Sequence, residues 1–234
     1  MWQIISYFVA SPLLLPGPYL VLRRLFELCG TLRFWQIASV SLLRILLGIV
    51  AALVFGIIAA VLSSKYRLAN ALIAPAVNII KATPVASFIM LALLWINRDI
   101  LPAFITVLIA LPVVFSNVST GILTINRGLI QVAECFEFTA VKKIYRLYIP
   151  SVFPYFLSAC RSCLGLAWKA GVAAEVLAVP AVSIGKMIYS SKMYLETTDL
   201  FAWSAVVIIL SVVIEYILCA ALSRVGKKYE RQGE

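Results

Sequence analysis

ILLGIVAALVFGIIAAVL, residues 45–62, holds eighteen consecutive residues without a charge. An uncharged apolar run of about 18 or more residues is a candidate membrane helix, because about 20 residues at 1.5 Å each cover the ~30 Å hydrocarbon layer. The rest of the chain shares the bias: it is 63% hydrophobic and 13% charged, with a mean hydropathy of +1.03. Soluble domains carry about half apolar and a quarter charged residues. Lipid gives the backbone no hydrogen-bond partner, so only helices and closed barrels cross it, and these runs lack the alternation of barrel strands. The sequence predicts an all-α polytopic membrane protein.

Working outward from that run, Gly48, Ala52, Gly56 and Ala60 recur at a spacing of four. They make one smooth ridge for helix packing, against which another backbone can approach closely. Arg44 stands at the start of the run, placed to snorkel toward an interface marked by Trp35. Further spans are expected from Pro84 to Ile96, over residues 100–126 with Pro112 inside, from Pro150 through Trp168, and over 200–223 with Glu215. Residues 1–15 are broken by Pro12, are short of a full crossing and lack the positive start of a signal peptide. They read as a marginal first span or one whose beginning is missing, which gives five to six transmembrane helices.

The net charge of +10 sits mostly between and after the spans, which argues for topology and against nucleic acid. By the positive-inside bias, Arg224, Lys227, Lys228 and Arg231 place the C-terminus in the cytoplasm. Counting back, the loop 125–152 and the loop 63–70 lie inside, and 97–99 and 177–199 lie outside. Arg23, Arg24 and Arg33 then fall on the outer side. Leu22, Leu25 and Phe26 suggest that residues 18–35 form an amphipathic helix flat on the membrane, which moderates the conflict. The chain reads as one transmembrane domain, 1–234, in which 1–36 hold the short first span and the outer interfacial helix.

No enzyme site is legible. Five cysteines include the pair Cys160 and Cys163, but the chain has no His, no second Cys pair and no βαβ pattern, so a zinc or redox centre is not expected. The Gly-Lys pairs at Gly185 and Gly226 lack both the following Ser or Thr and the earlier glycine of a phosphate-binding loop. No metal, cofactor or catalytic residue is assigned to this chain.

QVAECFEFTAVKKIYRLYIP, residues 131–150, is the one long polar loop. Val132, Phe136, Ile144, Leu147 and Ile149 give it an apolar pattern, Thr139 can cap a second short helix, and Pro150 is expected to end that helix. It reads as a helix-turn-helix offered to the cytoplasm or tucked against the chain's own spans.

This loop resembles the cytoplasmic loop of the permease subunit of type I ABC importers, which reads E-A-A, three residues, G, nine residues, I-x-L-P. Ala133, Leu147, Ile149 and Pro150 match it, whereas Gln131, Val132 and Glu137 depart from it. LLLPGPYLVLRRLFEL, SLLRILLGIVAALVFGIIAAVLSS, KATPVASFIMLALLWI and LGLAWKAGVAAEVL are similar to successive segments of the nitrate, sulfonate and taurine branch. The resemblance covers residues 13–224. It implies a type I ABC importer permease fold in a bacterial inner membrane. The partners it implies are a second permease copy or paralogue, two ATP-binding-cassette subunits that use ATP and Mg, and a periplasmic or extracellular solute-binding protein. It also implies that residues 133–139 form the coupling helix, with Ala133, Glu134, Phe136, Glu137, Thr139, Lys142, Lys143 and Pro150 meeting the ATPase.

WKAGVAAEV, residues 168–176, sets two ionisable groups in a span. A charge at bilayer depth costs about 2.5–3.5 kcal/mol or more unless it meets a partner or a cavity. Lys169 and Glu175 are six residues apart and so about 120° apart around a helix, which rules out a one-face pair. Trp168, Lys169 and Glu175 are expected at the translocation pathway or its gate, and the alternative for Glu175 is an ion pair with Arg44. A competing function is a stand-alone secondary carrier or channel, which would need no ATPase. A polytopic membrane enzyme would need a catalytic constellation that the sequence lacks.

Overall fold

The computed structural model describes residues 2–9 and 14–230, with side chains for all of these except 4, 5, 9 and 222–230. Residues 10–13 of the opening segment, the side chains of Arg224, Lys227 and Lys228, and Arg231 lie outside that description. Among the described residues every regular element is helical: α1 (Trp2–Val9), α2 (Pro18–Cys29), α3 (Leu32–Lys65), α4 (Arg67–Ala82), α5 (Val85–Ala92), α6 (Leu101–Leu123), α7 (Arg127–Cys135), α8 (Ala140–Lys143), a π-helical turn (Ile144–Tyr148), α9 (Ile149–Ala178), α10 (Ile184–Met193) and α11 (Thr197–Glu230).

Local chemistry sets these boundaries. Pro18 opens α2 at its first position, where the missing N–H costs nothing, and the N–H of Gly30 closes it on the Phe26 carbonyl at 3.2 Å. Thr31 Oγ1 then accepts from the Phe34 N–H at 3.3 Å and starts α3. Helix α3 runs for 34 residues, about 51 Å. The expected span at 45–62 is therefore only its second half, and Arg44 lies inside the helix instead of at its end.

Other expectations are corrected in the same way. The interfacial helix ends at Cys29, so Leu32 to Trp35 belong to α3. The apolar run after Pro84 is helical only through Ala92. Before it, Arg67–Ala82 is a full helix in which Pro75 is tolerated, and the chain bends at Thr83 and Pro84. Proline has no N–H to continue α4 and forces the residue before it into extended backbone, which Thr83 adopts with ψ 128°. Pro150 does not end a helix. It lies in the first turn of α9, directly after the π-helical turn in which the Ile149 N–H reaches the Ile144 carbonyl, and the added residue lets the chain absorb the ring without stopping. The loop 177–199 holds the ordered helix α10.

Three described helices are long and apolar enough to cross a membrane, α3, α6 and α11 through Ala221, or four if α4 and α5 form one broken span. Helix α9 has the length at 30 residues but carries Arg161, Lys169 and Glu175. At eight residues, α1 is too short to cross.

The chain divides into two compact units. The first comprises Met1–Gly48, Pro84–Thr106 and Trp168–Val213. Its apolar centre joins Phe34, Ile37, Ala38, Ile184, Trp203 and Val206. A methyl group at Gly48 would meet the Ala103 carbonyl at 2.6 Å, so glycine lets α3 touch the α6 backbone. Arg24 of α2 makes a two-pronged pair with Asp199 at 2.6 and 2.9 Å, and Arg23 pairs with Glu27. The hydrogen bonds to Asp199 push the Arg24 guanidinium pKa further up and keep it charged, and the acids paired with Arg24 and Arg23 offset two of the three arginines that opposed the expected orientation.

The second unit comprises Ile49–Thr83, Val107–Ala167 and Ile214–Glu234. There Gly56 lies against Val114 and Leu111 of α6, and Ala52 and Ala60 are fully buried. Gly121 lies against the Tyr155 ring of α9. Cys160 and Cys163 are free and buried, packed as small apolar side chains, and no group of described residues is arranged to hold a metal.

Candidate functional site

In the first unit, Ser41 and Arg44 are three residues apart on α3 and so share a face. Both reach Glu175 of α9. Ser41 Oγ donates to Glu175 Oε2 at 2.8 Å, Arg44 Nη1 donates to Oε1 at 2.8 Å, and the Gly185 N–H donates to Oε2 at 3.2 Å. Ser41 Oγ in turn accepts from the Ile184 N–H at 2.8 Å, and Ser183 Oγ accepts from the Lys186 N–H at 3.0 Å. The first N–H groups of α10 are thus capped by side chains of α3, α9 and the preceding turn. A carboxylate is well suited there, at the positive end of the helix dipole.

Glu175 has no exposed surface. Its two oxygens receive three hydrogen bonds, which is the condition for burying a carboxylate tolerably. Of the two readings of Glu175, the ion pair with Arg44 is the arrangement present. The Arg44 guanidinium also lies 3.4 Å from the Val182 carbonyl and 3.7 Å from Asp99, and Asp99 accepts from the Ala181 N–H at 3.0 Å. One arginine therefore fastens α3, the start of α6 and the α9–α10 turn.

Lys169 and Trp168 go elsewhere. Trp168 is buried and its Nε1 donates to the Val207 carbonyl at 3.1 Å. Lys169 is exposed and makes no hydrogen bond or ion pair among the described residues. The structure does not bring these three side chains together. Gly171 is where α9 approaches closely, since a methyl group there would meet Ile45 and Thr106 at 2.8 Å. Sequence reasoning missed Ser41, Asp99 and Gly185; the three-residue spacing of Ser41 and Arg44 was the available signal.

In the second unit the polar loop is ordered by its own contacts. Asn126 caps α7, accepting from the Gly128 N–H at 2.8 Å. Ala133 is buried with Ile125 and Leu147, flanked by Ile130, Phe138, Tyr148 and Val152. Helix α7 ends with the Phe138 N–H on the Ala133 carbonyl at 3.0 Å and the Glu137 N–H on the Glu134 carbonyl at 2.9 Å, with Glu137 at φ 50°. This closure places its left-handed residue where glycine is favoured, which accounts physically for the glycine that the resembling pattern has at that slot. Thr139 then caps α8 by accepting from the Lys142 N–H.

Residues 133–139 are consequently not one helix. They are the last turn of α7 and the turn after it, because the left-handed residue ends the hydrogen-bond ladder. The loop offers outward Leu129, Val132 and Phe136, spaced three and four apart on one face, with Phe136 72% exposed. Glu134 pairs with Lys143 at 3.4 Å, an exposed pair that contributes little to stability, and Lys142 lies 4.2 Å over the Phe138 ring. Pro150 is exposed at the start of α9.

Several helices long and apolar enough to cross a membrane, with an ordered polar loop between them, define a polytopic membrane protein. Residues 52–228 match the family model described as binding-protein-dependent transport system inner membrane component, and the chain belongs to that family. It is similar to the taurine transport system permease protein TauC of Escherichia coli (strain K12), 26% identical over 221 residues, covering 92% of this chain and 80% of that protein. It is also similar to the putative aliphatic sulfonates transport permease protein SsuC of Bacillus subtilis (strain 168), 25% identical over 204 residues, covering 86% and 74%. The fold matches that of a chain in the inward-facing MetNI methionine ABC transporter with a TM-score of 0.58, 19% identity and coverage of 83% of this chain and 93% of that one. The chain is a permease subunit of an ABC importer and a multi-pass inner-membrane protein, which sets aside the stand-alone carrier.

Proposed function

We propose that this subunit forms half of a translocator. It pairs with a second permease, either another copy or a paralogue, and alternates between outward and inward access. Two ATP-binding subunits dock on the α7–α8 loop, where ATP and Mg act in those partners and not in this chain. A solute-binding protein delivers cargo from outside, and the C-terminus lies in the cytoplasm. The relatives' names speak of taurine and aliphatic sulfonates, which favours a small solute bearing an oxyanion.

The observation that carries the docking reading is the exposed Leu129, Val132 and Phe136 face on a loop that its buried side holds rigid. Exposed apolar patches rimmed by charge mark protein contacts, and aromatic anchors dominate their energy. Enlarging Ala133 would break the loop's own packing, so Phe136 is the cleaner probe. In the reconstituted importer, Phe136→Ala should lower binding-protein-stimulated ATP hydrolysis about tenfold, with unchanged amounts of permease in the membrane. Glu134→Lys should act in the same direction more weakly. Wild-type stimulation in both variants would remove the docking role.

A further inference from the structure

Two cations set among the apolar helices have different surroundings. Arg44 has a buried carboxylate, whereas Lys81, at the last turn of α4, has none within ion-pair distance among the described residues. Its ammonium donates a single hydrogen bond, to Ser116 Oγ of α6 at 2.7 Å. Ser116 gives its own proton to the Pro112 carbonyl at 2.8 Å, which leaves its lone pairs to accept from Lys81. Helix α6 has 23 residues centred on Pro112, so Ser116 lies about 6 Å along the axis from the middle of a helix long enough to cross the membrane. One turn further on, Thr120 is exposed on α6, and Asn117 stands beside Ser116.

A lysine ammonium is a compact, strongly hydrated charge with three N–H donors. Here one donor is used, by a neutral hydroxyl, and the side chain is exposed. A cation kept at this depth without a counter-ion faces a water-filled route or awaits an anion. Its neighbours Ser116 and Thr120 donate their hydroxyl protons to the Pro112 and Ser116 carbonyls, both at 2.8 Å, and rotation about either C–O bond redirects that proton toward an oxygen-bearing group. Lys81 is also the last cation before the break at Thr83 and Pro84, and broken spans are where carriers expose polar groups to solute.

We propose that Lys81, with the hydroxyls of Ser116 and Thr120, forms a station on the translocation route that reads the oxyanion of the transported solute, a sulfonate or carboxylate. This rests on the permease reading above and adds the residue that selects for charge. A phospholipid phosphate offers the same chemistry, so the test must separate the two sources.

The test uses Ser116→Cys in the assembled importer, in a chain whose five native cysteines are replaced. Reaction rates are measured with anionic sulfonatoethyl methanethiosulfonate and with its cationic trimethylammonioethyl counterpart, with and without ATP. The ratio of the two rates cancels any activation of the thiol by Lys81. The vesicles are phosphatidylcholine alone or mixed with phosphatidylglycerol. The anionic probe should be preferred, Lys81→Gln should cut that preference roughly tenfold or more, and Lys81→Arg should keep it, in both lipids. A ratio unchanged by Lys81→Gln would overturn the station, as would a position unreactive to both probes in every nucleotide state. A preference that vanishes when phosphatidylglycerol is present would assign the site to a lipid headgroup instead. Retention of the ATP-binding subunit is followed in every sample, so failure of the permease reading shows itself separately.

Discussion

Arg44→Met should destabilise the permease by about 3–5 kcal/mol, because it leaves the Glu175 carboxylate buried without its cation. The side chain of Glu175 is 0% exposed and would keep only the Ser41 hydroxyl and the Gly185 N–H as donors. The Arg44 side chain is 13% exposed, so water entering in its place can hydrogen-bond the carboxylate but cannot supply the lost charge. Glu175→Ala should cost as much for a second reason, since it also uncaps α10. In the double variant Arg44→Met, Glu175→Met the charges vanish together, and the loss should be smaller than the sum of the single losses. Such a shortfall is the signature of direct coupling. Thermal unfolding of the detergent-purified chain measures all three. A single Arg44→Met variant as stable as the wild type would mean that the pair contributes nothing.

Gly185→Ala should have the next largest effect. A methyl group there would overlap the Glu175 carbonyl carbon, the Glu175 Cβ and the Val176 nitrogen. Two of these are main-chain atoms of α9, so no rotamer change relieves the clash, and α10 must move away from α9. The move breaks the Gly185 N–H bond to Glu175 and disturbs the packing of Ile184 with Phe34 and Trp203. Overpacking of a close contact costs about 3 kcal/mol at the upper end of its usual range. Thermal unfolding near the wild-type midpoint in Gly185→Ala would show that α10 is not seated on α9 as described.

Much of the fold was readable because it depends on local chemistry. The apolar runs, the four-residue spacing of Gly48, Ala52, Gly56 and Ala60, and the Thr139 cap are properties of short windows. What escaped is decided by contacts distant in sequence. Ser41 meets Glu175 across 134 positions, and no periodicity reveals which hydroxyl on α3 will face which acid on α9. Arg44 looked like the snorkelling end of a span because the eighteen-residue run begins beside it, whereas α3 starts twelve residues earlier.

The loop divides in the same way. Its two helices and intervening turn follow from Thr139 and the apolar pattern. The inward burial of Ala133 and the left-handed Glu137 do not, because an alanine or a glutamate carries no preference that announces either. The sequence expects a span to open at Pro84, where the structure has a bend, for a similar reason: proline opens helices as readily as it breaks them, and the helix before it decides which. Lys81 escaped because its partner among the described residues, Ser116, is 35 positions away.

The most direct test of the driven-permease account is capture of the ATP-binding subunit. The permease is extracted in mild detergent, once as the wild type and once with residues 131–150 replaced by a glycine-serine linker of equal length, and the ATP-binding subunit retained by each is quantified. The account predicts stable retention by the wild type and its loss from the linker variant, with both permeases present in the membrane in equal amounts. Equal retention by the two, or solute movement through the wild type with no ATP-binding subunit present, would contradict it.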